Sequence, residues 1–522
     1  MKRVKKVSVK KKNGAVRNTF SICPVCKKRI AAAHVRRGNK IYLEKTCDEH
    51  GTFETIIWNG FTDAKKWRGR EKEMTAAENA DCPTNCGICE NHKQGTCCVL
   101  LEVTKRCDLA CKFCFADGSS GGSDRPFDDI KKDLEFIAKK SGGLVQLSGG
   151  EPTVREDLPG IVAAAKAVGI SYVQLNTNGI RLANDEEYVK KLAAAGLSFV
   201  FMQFDGTTDE IHTALRSRPL LEIKKRAIEN CDKYRIGVTL VPTLVPGINT
   251  NNIGNILRFA VNRSPAVRGV HFQPVSYFGR TPHEPTDEDR FTLDALLHEV
   301  YEQSFGLVQQ ETLLPSKCDH PMCGFHGDFI VREDCTLYPL RRREENEGCC
   351  CGVTTAEQNR EFVARRWLRR DDVLYGADAS SENSDGQCCS CGTDTCDTEC
   401  SAKNGNLHDA RLDCNNGSCT AVDCDSCDLD CNNGSCGAGD PDNGCGNGEC
   451  NCGENAESMS LDEFASRVKS HGFTVTAMAF QDEWNLDLER LRRCSLHVCE
   501  NEKFIPFCAY YIDGIGQGSK NG

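Results

Sequence analysis

No stretch of this chain approaches the roughly 18 consecutive apolar residues needed to span a bilayer, so no membrane crossing is expected. The basic N-terminus, MKRVKKVSVKKK, is not followed by an apolar h-region, so no signal peptide is expected either. An excess of positive charge is also missing: 65 Lys and Arg stand against 75 Asp and Glu, a net charge of −10. That balance argues against a general nucleic-acid binder. Residues 376–456 lack hydrophobic periodicity and have few large apolar side chains, so they are not expected to bury a core of their own. What the chain has instead is cysteine, 35 in 522 residues. Without a secretory signal, such density points to metal ligation in a reducing compartment, the cytoplasm by default, rather than to disulfides.

The cysteines are not spread evenly. LEVTKRCDLACKFCFADG, residues 101–118, spaces Cys107, Cys111 and Cys114 as C-x3-C-x2-C, with Phe113 just before the last. Three thiolates can hold three irons of a 4Fe-4S cube and leave the fourth iron open to a small molecule. Cys82, Cys86 and Cys89 share the spacing, so context has to separate the two. VLLEVT reads as a buried strand ending just before Cys107, and LVQLSGGEP runs a second strand into Gly149, Gly150 and Glu151. Two glycines after a strand allow close backbone approach to a ligand. The cysteine spacing with its aromatic and the GGE turn resembles the radical S-adenosylmethionine (radical SAM) superfamily. The resemblance implies that the open iron and the GGE turn bind SAM, which an electron from the cluster splits into methionine and a 5'-deoxyadenosyl radical. The bland alternative is a zinc knuckle or a closed electron-transfer cluster.

Other cysteine sets flank this one. Cys23 and Cys26 with Cys47 and His50 make a tetrahedral Cys3His set on a small β-ribbon (KIYLEKTC, TFETIIW). Zinc commonly fills such closed sets; a rubredoxin-like iron is the alternative. Cys82, Cys86 and Cys89 with Cys97 or Cys98 can close a four-thiolate cluster for electron relay or structure. Cys318 and Cys323, with His320 between, and Cys494, Cys499 and Cys508 far along the chain could close another between them. Otherwise they are buried thiols packing as small hydrophobes.

Residues 99–280 alternate strand and helix patterns, with strands expected at 99–104, 144–151, 172–179, 199–206, 237–246 and 269–279. That alternation implies a parallel α/β sheet. Six strands fit the partial (β/α)6 barrel of radical SAM enzymes, with chemistry at the C-terminal strand ends. Asn178 and Asp205 fall there too. Asp205 could accept hydrogen bonds from a ribose, or simply form a turn with Gly206; Asn178–Gly179 reads more readily as a turn.

CPVC with CDEHG, CPTNCGIC, CDLACKFC, CDHPMC and the tail MAFQDEWNLDLERLRRCSLHV with IPFCAYY together resemble the tetraether-lipid-synthase-like branch of the superfamily. The resemblance implies about three 4Fe-4S clusters, SAM and a mononuclear iron or zinc. In this sequence it assigns Cys107, Cys111 and Cys114 to the SAM cluster and Cys82, Cys86, Cys89 and Cys97 to one auxiliary cluster. Cys318, Cys323, Cys494 and Cys508 go to a second. Cys23, Cys26, Cys47 and His50 hold the single metal, with iron implied. Cys98, Cys499 and the insert depart from the pattern. The domains expected are a basic tail (1–18), a rubredoxin-like ribbon (19–60), an auxiliary Fe–S segment (80–98), the barrel (99–280), a post-barrel segment (281–375), a disordered Cys-rich insert (376–456, repeating LDCNNGSC at 412–419 and 429–436) and a C-terminal Fe–S segment (457–522). The implied activity is carbon–carbon coupling of isoprenoid lipid tails, fed by a low-potential donor such as ferredoxin or flavodoxin. The basic tail either touches an anionic membrane surface or is a solvated tail. The alternatives are a radical SAM methyltransferase acting on a pterin-type small molecule and a non-catalytic Fe–S electron carrier or metal store. A long apolar groove at the barrel mouth would favour lipid coupling; a compact polar pocket would favour the methyltransferase.

Overall fold

The computed structural model describes residues 15–69, 82–83, 88–89, 91–342, 355–369 and 461–512. Cys86, most of the expected basic tail and the whole of the expected insert lie outside the described residues. Residues 15–18, assigned above to the tail, instead open a strand. β1 (Ala15–Ile22), β2 (Arg29–Arg37), β3 (Lys40–Cys47) and β4 (Gly51–Trp58) form an antiparallel meander in chain order. α1 (Ala64–Arg68) follows, capped by the Asp63 side chain and burying Trp67.

Strand and helix then alternate: β5 (Cys98–Thr104), α2 (Phe127–Lys140), β6 (Leu144–Gly149), α3 (Leu158–Ala167), β7 (Tyr172–Thr177), α4 (Ile180–Asn184), α5 (Glu186–Ala195), β8 (Phe199–Gln203), α6 (Asp209–Arg216), α7 (Leu221–Lys233), β9 (Gly237–Val241), β10 (Thr243–Leu244), α8 (Ile253–Val261) and β11 (Val267–Pro274). The stretch 237–246, expected as one strand, breaks at Pro242, which has no N–H for a ladder. β5, β6, β7, β8, β9 and β11 are parallel neighbours in that order, the six expected strands. After α9 (Leu293–Ser304) come β12 (Leu314–Pro315), β13 (Gly324–Val331), β14 (Leu337–Pro339) and α10 (Ala356–Trp367). The C-terminal segment holds α11 (Leu461–His471), β15 (Gly472–Met478), α12 (Leu488–Leu491), β16 (Leu496–Glu500), β17 (Lys503–Pro506) and α13 (Phe507–Tyr511).

That last segment extends the sheet at both ends. β15 pairs in parallel with β11, and β16 pairs in parallel with β5. Beyond them β13 lies antiparallel to β15, and β17 antiparallel to β16. The period of two along each strand sorts its side chains. Val99, Leu101 and Val103 of β5, Val145 and Leu147 of β6 and Val173 and Leu175 of β7 pack in one buried core with Ile130, Leu134 and Ile137 of α2 and Leu158, Ile161 and Val162 of α3. The alternate positions, Leu100, Gln146, Ser148, Gln174 and Asn176, line a cavity inside the barrel. Among the described residues no helix is long and apolar enough to cross a membrane.

Phe473 of β15 is completely buried in that same core with Phe329 and Val270, so the C-terminal segment is an integral part of it. Phe473→Ala is expected to cost about 3–5 kcal/mol, read as a lower urea midpoint at unchanged slope.

Candidate active site and metal centres

The loop after β5 is held on backbone hydrogen bonds. Cys107 N donates to Ser119 O at 2.9 Å, and Cys114 and Arg280 exchange both of theirs at 3.0 and 2.9 Å. Cys111 packs with Leu109 and Leu220 while Cys107 and Cys114 flank them, so the three thiols gather in one apolar cup. Burial, with the nearby Glu151 and Cys111 charges, pushes the Cys107 thiol up to about 12. Metal coordination is what deprotonates a thiol in such surroundings. Three thiols beside an open cavity fit a cluster with three protein ligands, and that donor set is the group the resemblance implied.

The GGE turn crosses directly beneath this loop. Gly149 has φ +123°, and a Cβ there would lie 2.2 Å from Thr104 O; a Cβ on Gly150 would lie 2.2 Å from Arg106 O. The two glycines are therefore required by the approach of two backbones, which Gly150 N and Glu151 N stitch to Thr104 O and Arg106 O at 2.8 Å each. The Glu151 side chain is buried and spoken for. It accepts from Thr153 N (3.0 Å), Thr153 Oγ1 (2.6 Å), Thr177 Oγ1 (2.7 Å) and Asn178 N (2.6 Å). Burial still raises its carboxyl above the ordinary range. Glu151 thus ties the ends of β6 and β7 together.

Asn178 forms the expected turn, and Asp205 is placed differently from a ribose contact. Asn178 donates through Nδ2 to Asp108 at 2.7 Å and accepts from Ile180 N at 2.9 Å, closing the turn before α4. Asp205, read above as a ribose acceptor, is fully buried with both oxygens taken by Arg216 at 2.7 Å each. That ion pair holds the Asp205 carboxyl below its usual range despite burial.

The cavity, about 320 Å³, runs from the cysteine loop into the barrel. Its lining includes Gln146, Gln174, Asn176, Gln203 and Gln273, which no sequence motif marks, and the aromatic Phe115, Phe480 and Phe507. Gln174 donates to Asn176 at 3.1 Å, and Asn176 reaches Ser148 at 3.5 Å. His271 also lines it, Nδ1 lying 2.9 Å from Thr476 Oγ1.

In the ribbon, the ligand atoms of Cys23, Cys26, Cys47 and His50 lie within 4.8 Å of one another. Cys26 Sγ to Cys47 Sγ is 3.9 Å, and His50 Nδ1 is 3.7 and 3.5 Å from the Cys23 and Cys47 sulfurs. A tetrahedron with metal–sulfur bonds of about 2.3 Å has edges of about 3.8 Å, so this set can close on one ion.

The other cysteines regroup. Cys318, expected with Cys323, Cys494 and Cys508, instead packs with Cys97 in a buried pair. The chain order hid this, because Ser495 receives the N–H of Cys97 at 2.8 Å and so brings segments from three parts of the sequence together. Cys323 accepts from Arg490 Nε at 3.4 Å and Cys508 from Gln481 N at 3.3 Å. Burial, with the Cys508, Asp319 and Cys323 charges, pushes the Cys494 thiol far up. Cys82 is half-buried and Cys89 exposed. Cys499 is a core residue facing Asp133 of α2.

Replacing Cys107, Cys111 or Cys114 by Ala is expected to reduce dithionite-driven cleavage of SAM to background, measured as 5'-deoxyadenosine under anaerobic conditions. A separate expectation concerns His271, whose imidazole burial holds down at about 4 against an ordinary 6.5. The unfolded chain takes up that proton below about pH 6.5 while the folded protein does not until about pH 4, so stability falls as pH drops through that window. The loss from this group is at most about 3 kcal/mol. His271→Gln should make the urea midpoint correspondingly less dependent on pH between 6.5 and 4.

Comparison with known proteins agrees with the loop and the ribbon. The radical SAM superfamily model matches residues 101–260. A model described as the HMPTM N-terminal zinc ribbon domain matches residues 15–59, in keeping with the small metal ribbon expected there. The 7,8-dihydro-6-hydroxymethylpterin dimethyltransferase of Methanocaldococcus jannaschii is 38% identical over 362 residues, covering 64% of this chain and 71% of that protein. The Fe-coproporphyrin III synthase of Methanosarcina barkeri is 27% identical over 232 residues, 43% of this chain and 56% of that one. Among solved structures, Streptococcus suis SuiB bound to its precursor peptide SuiA aligns with a TM-score of 0.35 at 17% identity, covering 41% of this chain and 46% of that one. With the cysteine loop, the GGE turn and the ribbon each in place, the chain belongs to the radical SAM superfamily, in the family that holds the M. jannaschii protein.

Proposed function

We propose that this radical SAM enzyme is a methyltransferase acting on a pterin-type heterocycle. The observation that carries the reading is the carboxamide wall of the barrel: Gln146, Gln174, Asn176, Gln203 and Gln273 all face the cavity. Each carboxamide offers both a donor and an acceptor, the pairing that the lactam and amino edge of a pterin needs. An alkyl tail satisfies neither, and each amide left unmatched in a dry site costs about 1–3 kcal/mol. Lipid-tail coupling, the main expectation from sequence, is therefore the weaker reading, and the pterin dimethyltransferase relative favours the alternative as well. Aromatic rings in the lining, with Phe480 and Phe507 stacked at 4.3 Å, suit the face of a planar ring.

Cys107, Cys111 and Cys114 would hold the SAM cluster, with the Gly149–Glu151 backbone beneath it. When bound, such a cluster supplies the electron that splits SAM into methionine and a 5'-deoxyadenosyl radical. The chain's own part is to fix the three thiols, keep water from the cavity and hold the heterocycle by its edge. Cys323, Cys494 and Cys508 are the ligands we assign to an auxiliary cluster, and Cys97 with Cys318 are its neighbours. Zinc is the ion we assign to Cys23, Cys26, Cys47 and His50, and a low-potential electron donor is the partner required.

The test is an anaerobic incubation of the reconstituted chain with SAM, dithionite and 7,8-dihydro-6-hydroxymethylpterin, followed by mass spectrometry. Methylated pterin is expected. Unmodified pterin with normal deoxyadenosine, alongside coupled tails from an archaeal diether lipid in micelles, would reverse the assignment. Gln146→Leu and Gln273→Leu are each expected to raise the pterin KM about tenfold, the equivalent of 1.4 kcal/mol, with iron content unchanged.

A further inference from the structure

We propose that Arg216, held by Asp205, is a positioning residue that sets the reduction potential of the cluster at Cys107, Cys111 and Cys114; the inference rests on assigning those thiols to the open-iron cluster. Arg216 ends α6 and is 4% exposed, and Asp205 beside it is 0% exposed. Nε and Nη2 of Arg216 donate to the two Asp205 oxygens at 2.7 Å each, and Nη2 also reaches Thr243 Oγ1 at 3.1 Å. Asp205 is fixed in turn by Thr243 N at 3.1 Å. The remaining arm, Nη1, donates to Phe113 O at 3.3 Å, on the residue between Cys111 and Cys114 in the loop. The guanidinium is also close enough to the Cys111 sulfur for the two charges to interact. Leu215, one residue earlier, accepts from Lys112 N at 3.2 Å, so two consecutive residues of α6 grip the loop.

A planar guanidinium is suited to this task because its fork is satisfied on one side by a carboxylate while the other side faces the loop. Reduction adds one negative charge to the cluster. A buried cation beside the ligating sulfurs favours the reduced form and raises the potential. Buried charges are little screened by solvent ions, so the effect persists in salt. Asp205 works against it: the carboxylate keeps Arg216 in place, because a lone buried cation would be costly, and offsets part of its field. The two residues should therefore shift the potential in opposite directions.

The experiment is an EPR-monitored redox titration of the anaerobically reconstituted full chain, reading only the part of the reduced signal that changes when SAM is added. That part belongs to the cluster with an open iron. Arg216→Gln is expected to move the midpoint to a more negative potential and Asp205→Asn to a more positive one, with Arg216→Lys between wild type and Arg216→Gln. A wild-type midpoint in Arg216→Gln with iron retained would overturn the proposal. Should Arg216→Gln lose the cluster, Asp205→Asn decides, since it keeps the arginine; an unshifted midpoint there overturns it equally. Absence of any SAM-responsive signal in wild type would instead overturn the cluster assignment beneath it.

Discussion

The crossing of two backbones, residues 104–106 over 149–151, is the contact on which the site depends. Gly149 and Gly150 can pass under the cysteine loop because neither has a Cβ, which at either position would come within 2.2 Å of a carbonyl oxygen above. The hydrogen bonds across the crossing then fix the distance between the three thiols and the end of β6. Glu151 carries that order on to β7 through Thr177 and Asn178. Asp108 of the loop closes the circuit on the Asn178 amide. A cluster loop of largely irregular backbone thus inherits the rigidity of the sheet.

The C-terminal segment performs a similar service for the auxiliary cysteines. It pairs with both edges of the six-strand run, so the stretch between β15 and β16, carrying α12 and Cys494, spans from one edge to the other. The zinc ribbon clasps that stretch through buried polar contacts. Arg17 pairs with Glu489, while Thr19 and His34 bind Asp487 at 2.6 and 2.8 Å. Such a pairing of charges is favourable only when every partner is placed. The next residue, Arg490, donates to Cys323. β1 and β2 of the ribbon therefore bear on the geometry around Cys323, although the ribbon's own candidate ligands are elsewhere.

Local features were legible in the sequence and long-range ones were not. The ribbon's four ligands come from two turns, and the cysteine loop from one, so spacing alone could find them. The six central strands carry buried aliphatics on their outer faces and stand between helical stretches, so their alternation was readable. β15 and β16 escaped because they mix Thr, His and Cys with aliphatics and pair with strands far earlier in the chain. The contact of Cys97 with Cys318 escaped for the same reason, since no spacing rule links positions so far apart. Asp205 was read as a ligand contact because a carboxylate at a strand's C-terminal end has the right address; its actual partner, 11 residues on, lies on the following helix and depends on where that helix turns back.

The cavity wall was legible in principle. LVQLS, YVQLNT and FVFMQ each set an amide amid apolar neighbours, and the odd-even rule of a strand sends those amides to the face opposite the aliphatic core. A barrel that only had to fold would gain by making both faces apolar, since Gln174 and Asn176 are left to satisfy each other and Ser148 in part. Amides on inward positions of β6, β7, β8 and β11 are a departure from foldability, and such departures concentrate where a ligand completes the bonding. The opposite faces of β6 and β7 present Val145, Leu147, Val173 and Leu175, all wholly buried aliphatics. The contrast within single strands, where composition and burial are otherwise alike, is what separates a ligand-binding interior from a merely imperfect core.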